Sequence, residues 1–188
     1  VLARSPHLHR ITSLYLAGRV DPLAGRVGGG TPGPLSDAAA ARLLRKSSLR
    51  RLRRLDLSSN TLGARTAEAL ASSPATAGLE WLRLYRCGLR GAEVRTLAGS
   101  ERLGALAWVD LESNEVGDEG ARAIAASPHW RNVTWLDLRS NGITTAGAIA
   151  LAQVDHFHPE LVLLLEDNPV KQAGREALLR RFGGNVVV

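Results

Sequence analysis

The apolar residues of this chain recur in the pattern L-x-x-L-x-L-x-x-N-x-L, whose clearest copy runs from Leu52 to Leu62. Its polar position returns every 27 residues, at Asn60, Cys87, Asn114, Asn141 and Asn168. A fixed period of this length is typical of repeat proteins, in which each unit buries its apolar face against its neighbours. The pattern therefore predicts a stack of similar units over nearly the whole chain.

Each unit predicts one short strand and one helix. The two leucines of L-x-L lie on the same side of a strand, because side chains alternate between its faces. Behind each strand, apolar residues spaced three and four apart, such as Ala67, Leu70 and Ala71, predict the buried face of a helix. We expect helix N-caps at Asp118 and Thr145. Strand, helix and parallel neighbouring strand form a right-handed crossover repeated along one axis, which predicts an α/β solenoid with six parallel strands.

These units resemble the leucine-rich repeat family. Their helical halves, such as Gly120–Pro128, are most similar to the ribonuclease-inhibitor class and to bacterial arrays of that class. The resemblance implies a horseshoe with a parallel sheet on its concave face and helices on its convex face. It also implies a buried structural role for Cys87, because the family consensus accepts cysteine in place of asparagine. Members of the class are commonly inhibitors, GTPase regulators or sensor segments of larger proteins.

Residues 1–188 are expected to form a single leucine-rich repeat domain with two departures from the period. Leu2–Leu8 matches Ile124–Trp130, so the chain is expected to start inside a repeat, as a fragment of a longer protein. Residues 21–34 are rich in glycine and proline and predict a loop inserted into one repeat. Residues 171–183 predict an amphipathic C-terminal helix that caps the last repeat.

The net charge is +6 and the pI is about 10.6, which could suit a nucleic acid or an acidic partner. The densest basic cluster is Arg50, Arg51, Arg53 and Arg54. Because a strand sends alternate residues to opposite faces, we expect no continuous stripe that tracks phosphates, and no nucleic-acid partner. The arginine bias can also reflect coding composition.

The single cysteine excludes an internal disulfide framework and fits a reducing compartment, so we expect a cytoplasmic protein. The sequence has no apolar run of the length that a membrane-spanning helix needs, so we expect no membrane partner.

The residues between the strand leucines should line the concave face in three columns, because neighbouring strands lie in register about 4.8 Å apart. The first column is Ser13, Arg54, Trp81, Trp108, Trp135 and Val162. The second is Tyr15, Asp56, Arg83, Asp110, Asp137 and Leu164. The third is Ala17, Ser58, Tyr85, Glu112, Arg139 and Glu166. The candidate partner-binding residues are Trp81, Trp108, Trp135, Asp56, Arg83, Asp110, Asp137, Tyr85, Glu112 and Arg139.

The tryptophan column has two interpretations. Three exposed indoles would approach the roughly 300–600 Å² of the largest apolar patch on a typical monomer, which indicates a binding surface. Alternatively, the rings stack on one another and only stiffen the sheet. In the second column, Asp56, Arg83 and Asp110 predict a row of ion pairs. Asp110 and Asp137 then repel each other, unless Arg83 and Arg139 neutralise them diagonally or a partner brings a cation.

No catalytic site and no cofactor are predicted, since the carboxylates lie on an open sheet with no nucleophile beside them. His156, His158 and Asp155 could hold a metal ion but are more typical of a surface loop. The sequence thus predicts a non-catalytic scaffold that binds a protein or peptide on its concave face. The alternatives are a carbohydrate or small-ligand site on the tryptophan column, and a structural repeat segment of a larger regulatory or sensor protein.

Overall fold

A computed structural model describes residues 8–18, 34–46 and 49–188. The described residues form one sheet of seven parallel strands, ordered as in the chain. The strands are β1 (Ser13–Tyr15), β2 (Arg54–Asp56), β3 (Trp81–Arg83), β4 (Trp108–Asp110), β5 (Trp135–Asp137), β6 (Val162–Leu164) and β7 (Val186–Val187). The helices are α1 (Asp37–Leu44), α2 (Ala64–Ser72), α3 (Gly91–Ala98), α4 (Gly117–Ala125), α5 (Thr145–Ala152) and α6 (Gln172–Phe182). The predicted α/β leucine-rich repeat solenoid is confirmed.

The strand register follows the 27-residue period. Leu55 lies opposite Leu82, and Leu82 lies opposite Val109. The central residue of each of these strands is buried, whereas Trp81 and Arg83, on either side of Leu82, are half-buried on the opposite face. Alternation along each three-residue strand therefore places its central leucine or valine in the core and its two outer side chains on the concave face. The predicted inserted loop, 21–34, falls outside the described residues except for Pro34.

The asparagine column joins each turn to the repeat before it. The Oδ1 atom of Asn114 accepts hydrogen bonds from the backbone N–H groups of Cys87 and Leu89, both at 3.0 Å. Its Nδ2 atom donates to the carbonyl oxygens of Leu84 and Leu111, both at 2.8 Å. The side chain thereby satisfies buried backbone groups that the short strands leave without partners.

The residue before each column position adopts a left-handed backbone conformation, with φ between 52° and 58°. These residues are Ser59, Arg86, Ser113, Ser140 and Asp167. None is glycine, so the surrounding turn holds each of them in a sparsely populated region. The chain therefore turns away from the sheet in the same way after each of the strands β2 to β6.

The N-termini of α2 and α5 each receive a carboxylate from the preceding repeat, and both predicted caps are wrong. Asp118 lies in the first turn of α4, and its carboxylate accepts hydrogen bonds from the Thr144 and Gly147 backbone N–H groups at the start of α5. The cap of α5 itself is Thr144, while Thr145 is the first helical residue. The free N–H groups at a helix start attract a carboxylate from whichever element brings one close.

A column of serines forms hydrogen bonds with the C-terminal ends of the helices. Ser73, Ser100 and Ser127 are spaced 27 residues apart. The hydroxyl groups of Ser73 and Ser100 donate to the carbonyl oxygens of Leu44 and Ala71, both at 2.6 Å. Carbonyl groups in the last turn of a helix have no partner within the helix, so these bonds satisfy them across the repeat boundary.

The C-terminal segment forms α6, which packs on α5, and then β7. Gly183, with φ of 57°, ends α6, as a left-handed glycine does at many helix ends. The sequence predicted six strands, but Val186 pairs with Leu163 in a seventh. The role of α6 as a cap stays a prediction. None of the described helices combines the length and hydropathy needed to cross a membrane.

Candidate functional site

Two of the three concave-face tryptophans stack on each other. The ring centroids of Trp81 and Trp108 are 4.6 Å apart and their planes differ by 11°. This separation matches the spacing of neighbouring strands, about 4.8 Å, so the two rings stand on adjacent strands with their faces together. The predicted stacking thus holds for this pair, and the faces that the rings share are closed to a ligand.

Trp135 and Tyr15 extend this aromatic surface in different ways. Trp135 is half-buried and pairs in register with Trp108, but no ring pair joins them in the part of the chain that is described. The indole nitrogen of Trp135 is buried and has no hydrogen-bond partner among the described residues. Tyr15 is 58% exposed, and its ring lies 6.3 Å from that of Trp81. We call Tyr15, Trp81, Trp108 and Trp135 the aromatic row.

Sequence analysis did not select Tyr15 as a candidate. The sequence feature that could have identified Tyr15 is its position in the second column. It lies on β1, the one strand whose distance to the next repeat departs from the 27-residue period.

The three candidate aspartates are buried beside the turns that follow their strands. Asp56, Asp110 and Asp137 are only 8%, 3% and 3% exposed. The carboxylate of each accepts the backbone N–H of the residue two positions later. For Asp110 this donor is Glu112, at 2.9 Å. These aspartates therefore hold the turns that follow the strands, a local bond that aspartate forms readily.

Two arginines neutralise the buried carboxylates. Arg83 donates from Nε to Asp110 at 2.8 Å. Arg139 donates from Nη2 to Asp137 at 2.6 Å and to Glu112 at 2.8 Å. The two arginines that the sequence named thus offset the like charges of Asp110 and Asp137, but the pairs are not the predicted diagonal ones. Arg83 lies directly opposite Asp110 in the strand register, and Arg139 follows Asp137 by two residues. The predicted ion-pair row is incomplete, because within the described residues Asp56 forms no ion pair with Arg83.

The pKa values reflect both burial and pairing. Burial raises the pKa of Asp110, despite the opposing bonds from the Glu112 N–H and from Arg83. Burial also raises the pKa of Glu112, although Arg139 opposes this effect. The hydrogen bond with Asp137 raises the pKa of the Arg139 guanidinium further above neutrality. Arg139 therefore stays charged and holds the network together.

The carboxylates of Asp110, Glu112 and Asp137 bring one oxygen each within 4.8 Å of the others. Because Arg83 and Arg139 already bind these groups, the arrangement is an ion-pair network in which two guanidinium groups face three carboxylates.

The outer part of this network remains accessible beside the aromatic row. The side chains of Arg83, Arg139 and Glu112 are 40%, 35% and 25% exposed. The ring of Tyr85 is half-buried and lies 5.6 Å from the Arg83 guanidinium, a distance suited to a cation–π contact. We call the aromatic row together with Arg83, Tyr85, Glu112 and Arg139 the concave surface.

The weaker metal candidates do not converge. The Nδ1 atom of His158 accepts the backbone N–H of Glu160 at 3.2 Å, and the His156 ring packs against Phe157. Asp155 is exposed and lies 4.0 Å from Arg181. These three residues therefore form no ligand cluster in the described structure.

The sequence of the repeats also matches a known family. A family profile described as "Leucine Rich repeat" matches residues 49–71, 109–125 and 131–152. This chain is a leucine-rich repeat protein. Among solved structures, it is similar to an internalin C2 from Listeria monocytogenes str. 4b F2365. The two share 15% sequence identity over 96% of this chain and 80% of that chain, with a TM-score of 0.47. No curated protein matches the chain.

Leucine-rich repeat arrays in general are binding scaffolds, because the small rotation between stacked repeats creates an extended concave surface.

Proposed function

We propose that this leucine-rich repeat domain is a non-catalytic scaffold that binds a protein or a peptide on its concave surface. The observation that carries the proposal is the aromatic row, whose partly exposed rings lie beside half-exposed arginines on one face of the sheet. Tryptophan, tyrosine and arginine are the residues that most often dominate the binding energy of protein interfaces.

The buried aspartates support the proposal through the arginines. Asp110 and Asp137 hold Arg83 and Arg139 in one orientation, so little side-chain entropy remains to be lost on binding. In this proposal the aromatic row supplies affinity, the arginines, Tyr85 and Glu112 supply orientation, and the aspartates position them. Asp56 forms no ion pair among the described residues, and its carboxylate holds the turn after β2 instead.

The geometry of the Trp81–Trp108 stack favours peptide binding over carbohydrate binding. A sugar ring binds best on the open face of an indole, and these two rings turn one face each toward the other. The stack is better suited to contacts along the ring edges, as with peptide side chains and backbone. Carbohydrate binding is therefore an outcome of the test below rather than the leading function.

We further propose that the array belongs to the ribonuclease-inhibitor class and acts in the cytoplasm. Helices α1 to α5 are eight or nine residues long, which suits the class that the sequence resembles. The single cysteine, buried and unpaired, suits a reducing compartment. Fractionation of cells that express the protein would test the compartment.

A selection of random twelve-residue peptides on the immobilised domain tests the proposed function. Enriched peptides should lose at least about tenfold in affinity for the Trp81→Ala, Trp108→Ala double variant, since interface anchors contribute about 2 kcal/mol or more each. Leu179→Ala, at a residue 51% exposed on α6, is the control and should leave affinity unchanged. Circular dichroism checks that the variants are folded.

Two results would contradict the proposal. Unchanged peptide binding by the double variant would place the site away from the aromatic row. A saturable change of tryptophan fluorescence on titration with cellohexaose or chitohexaose, without peptide enrichment, would favour the carbohydrate alternative.

A further inference from the structure

The positive charge of this protein is concentrated in one short segment. Residues 34–65 contain eight basic and two acidic residues, an excess of six. The whole chain has 24 basic and 18 acidic residues, so the excess in this segment equals the entire net charge of +6. The rest of the chain is neutral in total. This segment includes α1, β2 and the first residues of α2.

Neither acidic residue of the segment offsets this charge at the surface. The carboxylate of Asp37 accepts hydrogen bonds from the Gly63 and Thr66 backbone N–H groups, at 2.9 Å and 2.8 Å. Asp56 is buried and accepts the Ser58 N–H. Both carboxylates are therefore occupied by backbone groups.

Most of the basic side chains lack an acidic partner. Arg45 pairs with Glu68 at 3.9 Å, and Arg53 pairs with Glu80 at 3.1 Å. The other basic residues of the segment are exposed and have no carboxylate within 4.0 Å among the described residues. They are Arg42, Lys46, Arg50, Arg51, Arg54 and Arg65. Like charges this close to one another repel, and an acidic partner would relieve the repulsion.

Part of this charge adjoins the concave surface. Lys46, Arg50 and Arg51 lie in the connection that leads into β2, and Arg54 is the first residue of that strand. We call these four residues the basic end. Arg54 lies directly opposite Trp81 in the strand register, so the basic end meets the aromatic row at Arg54.

We propose that the partner of the concave surface presents an acidic peptide segment whose carboxylates bind the basic end and whose neighbouring apolar side chain packs on Trp81 and Trp108. This inference rests on the proposed function and names the chemistry of its partner. From β2 to β4 is two strand spacings, about 10 Å, which an extended peptide covers in about three residues. The expected motif is therefore an aspartate or glutamate within about four residues of an aromatic or aliphatic residue.

A peptide fits these charges better than a nucleic acid does. Beyond Arg54, the exposed Glu80 and the partly exposed Glu112 and Glu166 lie on or beside the same face. A nucleic acid carries a phosphate at every nucleotide and needs a positive groove that follows its backbone. A strand laid along the aromatic row would meet these carboxylates, whereas a short peptide places its few negative charges on the basic end alone.

The peptide selection on the immobilised domain tests this inference. The enriched peptides are sequenced, and their affinities are measured by fluorescence anisotropy. Enriched peptides should carry the acidic–apolar motif, and their affinity should fall steeply as salt is raised. The Arg50→Glu, Arg51→Glu, Arg54→Glu triple variant should bind them at least about tenfold more weakly. Its matched control is Arg102→Glu, Arg122→Glu, Arg131→Glu, which makes the same change of charge at exposed sites in later repeats and should keep most of the affinity.

The possible failures are distinguishable. The inference of an acidic partner would be overturned if the enriched peptides were neutral or basic, or if the two triple variants bound equally well. The proposed function would survive either result if the Trp81→Ala, Trp108→Ala variant still lost binding. Loss with the first triple variant but not with the tryptophan variant would overturn the proposed function. Arginine-dependent binding of a twenty-nucleotide oligo-dT that displaces the peptides would assign the basic end to nucleic acid. Failure to enrich any peptide would overturn both proposals.

Discussion

The carboxylate of Asp118 binds Thr144, the residue that caps the next helix in the chain. Its Oδ1 atom accepts the Thr144 backbone N–H at 2.7 Å, and its Oδ2 atom accepts the Thr144 hydroxyl at 2.6 Å. Asp37 binds the start of α2 in the same way, through Gly63 and Thr66. Part of the energy that holds neighbouring repeats together is therefore helix capping, supplied from the repeat before.

We expect Asp118→Ala to lower the free energy of unfolding by about 1 kcal/mol, the usual cost of losing a helix cap. Urea denaturation followed by circular dichroism measures the change. Asp155→Ala is the control, because Asp155 is fully exposed and has one distant contact with Arg181. Equal effects of the two substitutions would show that the bonds across the repeat boundary contribute nothing.

The pH dependence of stability should have opposite signs at Asp118 and Asp110. Burial alone would raise the pKa of Asp118, but hydrogen bonds from Thr144 and Gly147 outweigh it and hold the pKa below its ordinary value. The unfolded state then binds the proton more tightly, so the stabilisation due to ionised Asp118 is present above about pH 4 and is lost as pH falls through the folded-state pKa. The pKa of Asp110 is raised, so its ionisation penalises the folded state, and the penalty grows as pH rises.

Chemical denaturation of wild type, Asp118→Asn and Asp110→Asn between about pH 2 and pH 6 measures both signs. The stability of wild type relative to Asp118→Asn should rise over this range. The stability of wild type relative to Asp110→Asn should fall. Parallel curves would contradict the assigned environments.

Replacing Asn114 should be among the most destabilising single changes in the polar columns. Asn114→Ala leaves the Cys87 and Leu89 N–H groups and the Leu84 carbonyl oxygen buried without their side-chain partner, whereas the Leu111 carbonyl keeps its bond from Asn141. We expect a loss of about 2–4 kcal/mol, since each unsatisfied buried group costs about 1–3 kcal/mol and local relaxation recovers part of it. Thermal melting compared with Asn132→Ala, an exposed asparagine with one bond to Gly104, measures the difference.

The Cys87 thiol should be unreactive while the protein is folded. Burial raises its pKa to about 12, and the Sγ atom donates to the Leu57 carbonyl at 3.2 Å. Because the thiolate is the reactive species, a disulfide reagent such as DTNB should label the native protein slowly at pH 8 and the urea-unfolded protein at once. Fast stoichiometric labelling of the native protein would contradict a buried structural cysteine.

Arg139→Met should destabilise the fold by about 1–2 kcal/mol, because it leaves Asp137 and Glu112 without their shared cation. Arg122→Met is the matched control, as Arg122 is exposed and has no ion pair in the described structure. The excess loss over the control should shrink in acid as Glu112, whose pKa is raised by burial, takes up a proton. A loss that does not change with pH would point to packing instead of charge.

Sequence reasoning recovered the repeat fold because the period specifies it directly. Leu82 and Val109 lie 27 residues apart, and the structure pairs them. It missed the role of Asp118 because the rules for caps look within one helix, whereas Asp118 bonds 26 residues ahead. It placed the cap of α5 one residue too late, at Thr145 instead of Thr144, because helix boundaries read from a pattern are uncertain by a residue or two. It missed β7 because three valines at the C-terminus are too short to carry the repeat pattern.

At the candidate site, the sequence placed the side chains on the correct face but not at the correct depth. Alternation predicts that Asp110 points away from the core, and it does. A short carboxylate beside a turn then folds back to the N–H of Glu112, which removes it from solvent. The stack of Trp81 on Trp108 was predictable from their register, while the lone position of Trp135 depends on rotamers that spacing does not determine.

The polar columns have a consequence for the growth of such an array. Asn114 and Ser127 each bond to the backbone of the preceding unit, through groups that nearly every unit offers. A 27-residue unit thus carries its own means of attachment, and an in-frame duplication would create a junction chemically equivalent to those already present. Gene duplication could therefore lengthen this protein one repeat at a time, and no second mutation would be needed to make the new repeat fit.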